Sequence, residues 1–378
     1  MNTRQKIDLH IQWWEKRNEA PLVHVFAPLK STRAPNTDNS SPPPSDAVRP
    51  AQRKGFGGFD FDTAPDDIVE KKIAGIRAQR ILPSDNLPVA HVNFGTAFLP
   101  ALAGAGFEFD GTNIWAHPCA ESAEELRVRS FDPSNELWQA YIVRFRRLLE
   151  SWSENEYLPG PCDIVGPMDC VAAMLGPQNL SMEMLMNPEG VKRAAMDAAR
   201  LFMEVMNIET RMLQEAGLRD GVVDWMHTWL PGRGRCYSED FSALCGEAHF
   251  REFFLEPNAF IAGQIDTPYL HIHSGATPCM PAILEIPNLK AVELSNDPNG
   301  PDLDRNIATG RMIQKAGLSL QMSNWEHPLE RGEIDAILGG LDPRGLKITL
   351  QASGPEEAVE LYEYAKTFHS SGRGTDRV

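Results

Sequence analysis

Short apolar runs alternate with longer amphipathic stretches along most of this chain, a pattern that predicts a parallel sheet with crossover helices. Leu22–Ala27, Val89–Phe94, Asp163–Gly166 and Gly221–Trp225 read as the first strands. Tyr269–His273, Ala291–Leu294, Leu318–Met322 and Leu346–Leu350 read as the later ones. Pro188–Ala216 repeats apolar residues at helical spacing, with Asn187 placed to cap it and Gly217 to stop it. Gly354–Phe368, rich in Glu and Ala, reads as a second helix. About eight strands, each followed by a helix or a long loop, predict an α/β fold of the TIM (β/α)8 barrel type. An open, doubly wound sheet fits less well. No GxGxxG turn follows a strand and no GxxxxGK(S/T) is present, which also removes support for dinucleotide and P-loop chemistry.

One stretch breaks the pattern. Ser31–Gly58 is rich in Pro, Ser, Asn and Gly and nearly free of large apolar residues, so it reads as a flexible insertion; 370–378 has the character of a disordered tail. The expectation is a single barrel over residues 1–369. Charge narrows the partners. Against 36 Lys and Arg stand 52 Asp and Glu, a net charge of −16, with no large basic cluster, which argues against nucleic acid and anionic membrane surfaces. No apolar stretch approaches the ~20 residues of a membrane span, and Met1–Arg17 lacks the features of a secretory signal. The six cysteines show neither a CxxC pair nor a disulfide framework. A cytoplasmic enzyme with a small-molecule substrate is the expectation.

Polar residues stand at the ends of the predicted strands, where a barrel of this kind keeps its chemistry. Asn93 ends the second strand, Met168 and Asp169 follow the third, and Asp224, Trp225 and His227 close the fourth. His271 and His273 close the fifth, and Glu293 and Asn296 the sixth. Gln321, Ser323 and Asn324 end the seventh, Gln351 and Ser353 the eighth. Any one of these also suits a cap or a turn; together they predict a pocket, with Asn93, Trp225, His227, Gln321 and Asn324 as substrate contacts.

His271 and His273 carry the most specific chemistry. Residues i and i+2 of a strand share a face, with Cα atoms ~6.6 Å apart. The two imidazoles can meet one metal ion, or divide acid–base work and substrate orientation, or merely bond to neighbouring loops. Zinc needs a further ligand, for which Asp224, Cys236, Glu247 and Glu293 are candidates. Asp224, Asp240 and His271 are the candidate catalytic groups. In the glycine-punctuated stretch Trp229–Asp240, Arg233 and Arg235 offer guanidinium forks for a carboxylate or phosphate, or partners for surface acids. Cys236 beside them is a weaker candidate thiolate. GxSxG, HExxH and EF-hand patterns are absent.

The segments APLVHVFAP, VNFGTAFLPALAGAGFEFDGTNIWAHP and GPMDCVAAMLGPQNLSMEMLMNPEGVKRAAMDAA come in order, followed by DFSALCGEAHFREFFLEP, YLHIHSGATPCMPAILEIPNLKAVEL and LKITLQASGPEEAVELYEYA. With them the chain resembles the uroporphyrinogen decarboxylase and cobalamin-independent methionine synthase superfamily over about Leu22 to Phe368. The resemblance implies that superfamily's barrel, and implies a homodimer. Decarboxylases of the family carry an arginine-rich RQAGRY segment after the first strand; here the chain reads FAPLKSTRA. Its corrinoid methyltransferases hold zinc with an H-x-C motif and a later Cys. His271 matches that histidine, His273 stands at the first Cys position, and Ser353 near the second. The leading expectation is therefore methyl transfer involving a corrinoid or a small methyl donor, a corrinoid protein being one implied partner. In it His271, His273 and Glu293 bind a metal such as zinc. One alternative is cofactor-free decarboxylation of a porphyrinogen or other carboxylated molecule gripped by Arg233 and Arg235. Another is a non-catalytic tetrapyrrole or small-ligand binder.

Overall fold

Strands of the C-terminal half form where aliphatic runs leave both faces covered, and they assemble into one parallel sheet. The computed structural model describes residues 1–28, 65–109, 114–154, 156–324 and 328–368. The expected insertion at 31–58 and the tail at 370–378 lie outside the described residues. In chain order the strands are β1 Leu22–Phe26, β2 Val89–His91, β3 Gly106–Phe109, β4 Ile114–His117, β5 Leu158–Gly160 and β6 Gly221–Val223. They continue as β7 Trp229–Pro231, β8 Gly234–Ser238, β9 Thr267–His273, β10 Ala291–Ser295, β11 Ser319–Ser323 and β12 Leu346–Gln351. A six-stranded sheet runs β1-β12-β11-β10-β9-β8, with every neighbour parallel. β2 and β5 form a separate parallel pair, while β3·β4 and β6·β7 are antiparallel. Helices lie between the parallel strands, so the architecture is mixed α/β and consistent with a TIM-like fold. Among the described residues the ladders end at β1 and β8, so closure into a barrel is not established.

The long helix spans Pro188–Glu215. Asn187 caps it, its side-chain oxygen accepting from the Gly190 amide at 3.1 Å, and Gly217 follows its end with φ +101. The helix Thr3–Trp14 lies near the starts of the strands. Its Trp13 is fully buried, and the Ser319 hydroxyl donates to the Trp13 carbonyl at 3.0 Å.

Two expectations needed correction. Asp163–Gly166 is not a strand; the chain is extended earlier, at β5. The backbone beyond β5 is satisfied differently. Tyr141 and Glu209 side chains meet the Cys162 amide, and the Gly166 amide donates to Ser238 O at 2.7 Å. The stretch Trp229–Asp240, expected as a loop, holds β7 and β8 around a turn at Gly232, φ +67. Its strand character was hidden by Arg235, whose charge a distant helix neutralises. Gly234 opens β8 because nothing larger fits: a Cβ there would stand 2.3 Å from Leu230 Cβ and 2.4 Å from Thr267 Oγ1. Gly234→Ala is expected to cost about 1–3 kcal/mol through overpacking, read as a lower denaturant midpoint. An unchanged midpoint would contradict that packing.

The register explains a polar interior. His271, Glu293, Gln321 and Lys347 stand in one cross-strand row, and His273, Ser295, Ser323, Thr349 and His24 in the row two residues on. Tyr269 OH donates to Gln321 Oε1 at 2.8 Å, and Lys347 Nζ reaches Met226 O and Thr228 Oγ1 at 2.8 and 2.7 Å. These buried polar groups are satisfied by one another.

Candidate metal and acid–base site

β8, β9 and β10 end side by side, and four polar residues converge there. Each parallel strand delivers its C-terminal end to the same edge, so Asp240 after β8, His271 and His273 on β9, and Glu293 on β10 become neighbours. The two imidazole rings lie 5.2 Å apart and nearly perpendicular. His271 Nδ1 is paired with fully buried Glu293, and His273 Nδ1 lies 2.8 Å from Asp297 Oδ1. Asp297 is itself fixed by the Ser274 amide and hydroxyl, which donate to its Oδ2 at 2.8 and 2.9 Å. The other nitrogens, Nε2 of His271 and of His273, face Asp240 Oδ1 at 3.4 and 3.7 Å. Neither is a short hydrogen bond, and this buried oxygen has no hydrogen-bond partner.

That orphaned oxygen is the test of whether a metal fits. One ligand atom each from Asp240, His271 and His273 lies within 4.8 Å of the others. The 3.4 and 3.7 Å separations are near the ~3.3 Å edge between ligands held ~2.0–2.1 Å from a tetrahedral ion. Each histidine also has its second nitrogen on a carboxylate, the support that sets the orientation of metal-binding imidazoles. Two nitrogen donors and one oxygen donor, without thiolate, suit a borderline divalent cation. The residues fit.

The electrostatics favour charge at this edge. Burial opposes the His271 imidazolium, but Glu293 and Asp240 outweigh it and hold its pKa well above 6.5. Asp297 raises His273 against a smaller effect of burial. Burial acts against the Asp297 carboxylate, yet His273 and Ser274 bring it down to about 2. Asp163 differs: burial pushes its carboxyl up to about 7, with Asp240 adding to and His271 opposing the rise. Trp225 presents its ring edgewise to His271 at 5.5 Å.

The other sequence candidates fall elsewhere. Glu293 lies behind His271 on the Nδ1 side, outside the trio facing the Asp240 oxygen. Asp224 sits in a buried turn, accepting from the Thr228 amide at 3.0 Å, and burial pushes it up to about 7. Asn93 accepts from the Gly95 amide in its own loop. Asn324 belongs to an amide chain with Asn296 and Asn306, and Gln321 is buried between Tyr269 and Ser323. His227 Nδ1 donates to Leu87 O, and the ring lines a separate cavity of about 790 Å³ together with His24.

Arg233 and Arg235 stand at the start of β8, whereas Asp240 follows its end. Arg233 donates to Asn207 Oδ1 at 2.6 Å. Arg235 is buried, paired with Glu209 at 2.5 Å and donating to Cys162 O. Arg235 is thus taken up by Glu209 and the Cys162 carbonyl rather than offered to a substrate carboxylate, while Arg233 bonds to a neutral amide. Burial, with Asp224 and Glu293, keeps the Cys236 thiol protonated, which removes the thiolate reading, and Glu247 pairs with Arg251. Ser353 bonds to Glu357 at a helix start. Asp297 was missed. It lies in NDPNGPD, whose composition reads as a turn, and only its contact with His273 marks it out.

No family model and no curated protein sequence matches the chain. Among solved structures it is similar to a methyltransferase from Methanosarcina mazei, with TM-score 0.56 over 81% of this chain and 86% of that one. The sequence identity is 13%, so the likeness concerns the fold.

Proposed function

We propose that this chain is a metal-dependent enzyme of TIM-barrel type that transfers a methyl group between a small donor, or a corrinoid, and an acceptor. The carrying observation is the pair of carboxylate-supported histidines whose Nε2 atoms face one carboxylate oxygen that has no hydrogen-bond partner. In this reading Asp240, His271 and His273 hold a divalent cation, zinc being one that suits the donors. A bound cation of this kind supplies Lewis acidity, activating a donor or acceptor atom of the substrate. Glu293 and Asp297 hold the imidazoles in one orientation and leave both Nε2 atoms free to ligate. Trp225 forms an apolar wall against His271. The likeness to a methyltransferase fold supports methyl transfer as the reaction class.

Cofactor-free decarboxylation has less support, because Arg235 is held in a buried ion pair with Glu209, leaving Arg233 alone of the two to grip a carboxylate. A passive binder would have little use for two imidazoles, each oriented by its own carboxylate, aimed at one further carboxylate oxygen. Elemental analysis of protein purified without added metal tests the proposal. About one equivalent of a divalent metal is expected in the wild type, and its loss in His271→Ala. Less than about a tenth of an equivalent, unchanged by that substitution and by added zinc, would sink the metal reading.

A further inference from the structure

We infer that Asp169 is the positioning residue for the Asp240 carboxylate, acting through a clasp between the helix Pro167–Leu175 and the chain leaving β8; this rests on the metal reading above.

The side chain of Asp240 makes no hydrogen bond through the oxygen that faces the histidines, so that oxygen is aimed by its own backbone. Asp169, in the first turn of the helix, takes hold of that backbone. Its Oδ2 accepts from the Asp240 amide at 2.7 Å and from the Ser238 hydroxyl at 3.0 Å, and its Oδ1 accepts from the Phe241 amide at 2.8 Å. Three donors are therefore shared between two oxygens of one buried carboxylate. The opposite side of the segment is tied to β9, since the Glu239 amide donates to His271 O at 3.1 Å. Asp240 thus stands between a strand that carries its metal-binding partners and a helix that fixes its distance from them.

The contact is close on both sides. The Gly166 amide donates to Ser238 O at 2.7 Å. A Cβ at Gly166 would lie 2.5 Å from that oxygen and 2.7 Å from Glu239 Cδ, so only glycine lets the helix start approach this near. Glu239 is fully buried beneath the clasp, its Oε1 accepting from Asn258 at 2.8 Å. A carboxylate is required at 169 because an asparagine has one acceptor oxygen and would turn an NH2 group toward one of the two backbone amides.

The test compares zinc affinity, cobalt(II) absorption and amide exchange in wild type, Asp169→Asn and Ser238→Ala. Met174→Ala, a cavity in the same helix away from the clasp, controls for lost stability. At a temperature where all are folded, Asp169→Asn is expected to bind zinc about 10–100-fold more weakly, the size of effect typical of a lost supporting group. Ser238→Ala is expected to lose roughly threefold, having given up one of three donors. The cobalt(II) band should change shape in Asp169→Asn and overlay the wild type in Met174→Ala. The amides of Asp240 and Phe241 should exchange faster in metal-free Asp169→Asn. Wild-type affinity in both clasp variants, or an equal loss in Met174→Ala, would overturn the inference alone. Failure of the wild type to bind either ion would overturn the metal reading and this inference with it.

Discussion

Arg235→Met is expected to cost about 3–5 kcal/mol of folding stability, the typical result of stranding one member of a buried ion pair. Arg235 and Glu209 are 3% and 0% exposed at their side chains, 2.5 Å apart. Glu209 also accepts from the Cys162 amide at 3.0 Å and from the Tyr141 hydroxyl. Without the guanidinium, a carboxylate would remain in a site that water does not reach. Adding Glu209→Gln should recover part of the loss, because the amide oxygen still accepts while the buried charge is gone. Denaturant unfolding of the single and double variants measures this. A loss below about 1 kcal/mol, or a double variant no better than the single, would show that the pair does not hold the fold together. The same experiment separates a fold-supporting arginine from a substrate clamp, since a clamp would alter binding and leave stability nearly untouched.

Metal binding is expected to stabilise the protein more at about pH 8 than at about pH 6, and the metal-free protein should melt lower at the higher pH. His271 and His273 have folded pKa values above 6.5. Their stabilising contribution is complete below 6.5 and is lost as pH rises through the folded values. Asp163 and Asp224 act in the same direction. Burial pushes each up to about 7, so the unfolded chain ionises near pH 4 while the folded chain resists, and stability falls between those values. Asp297, brought down to about 2, changes stability only in acid, below this window. A divalent cation reverses the trend by taking the place of the protons on the imidazoles. At free metal near 100 times Kd it should add about 2.7 kcal/mol, with Kd itself falling as pH rises. Thermal melts with and without zinc at the two pH values decide it. An equal or larger zinc effect at the lower pH would rule out histidine ligation.

What the sequence determined by itself follows from local rules. β9, β10, β11 and β12 are aliphatic runs closed by polar residues, and their positions follow from that pattern alone. The long helix from Pro188 is marked by its cap, its proline and its terminal glycine. The strand spacing of His271 and His273 already placed two imidazoles on one face. What only the tertiary structure decided depends on residues far apart in the chain. β8 could not be recognised while Arg235 looked like a loop residue, because Glu209, which neutralises it, lies 26 positions away on the long helix. Glu293 looked like a ligand, and pairing of β9 with β10 put it behind His271 instead. Asp297 lay in a turn-like stretch and Asp169 stood among the polar residues after a predicted strand until folding set one against His273 and the other against the Asp240 amide. The periodicity of a strand fixes which face a side chain takes, but a metal site also needs distances between strands, and those are set by register and packing.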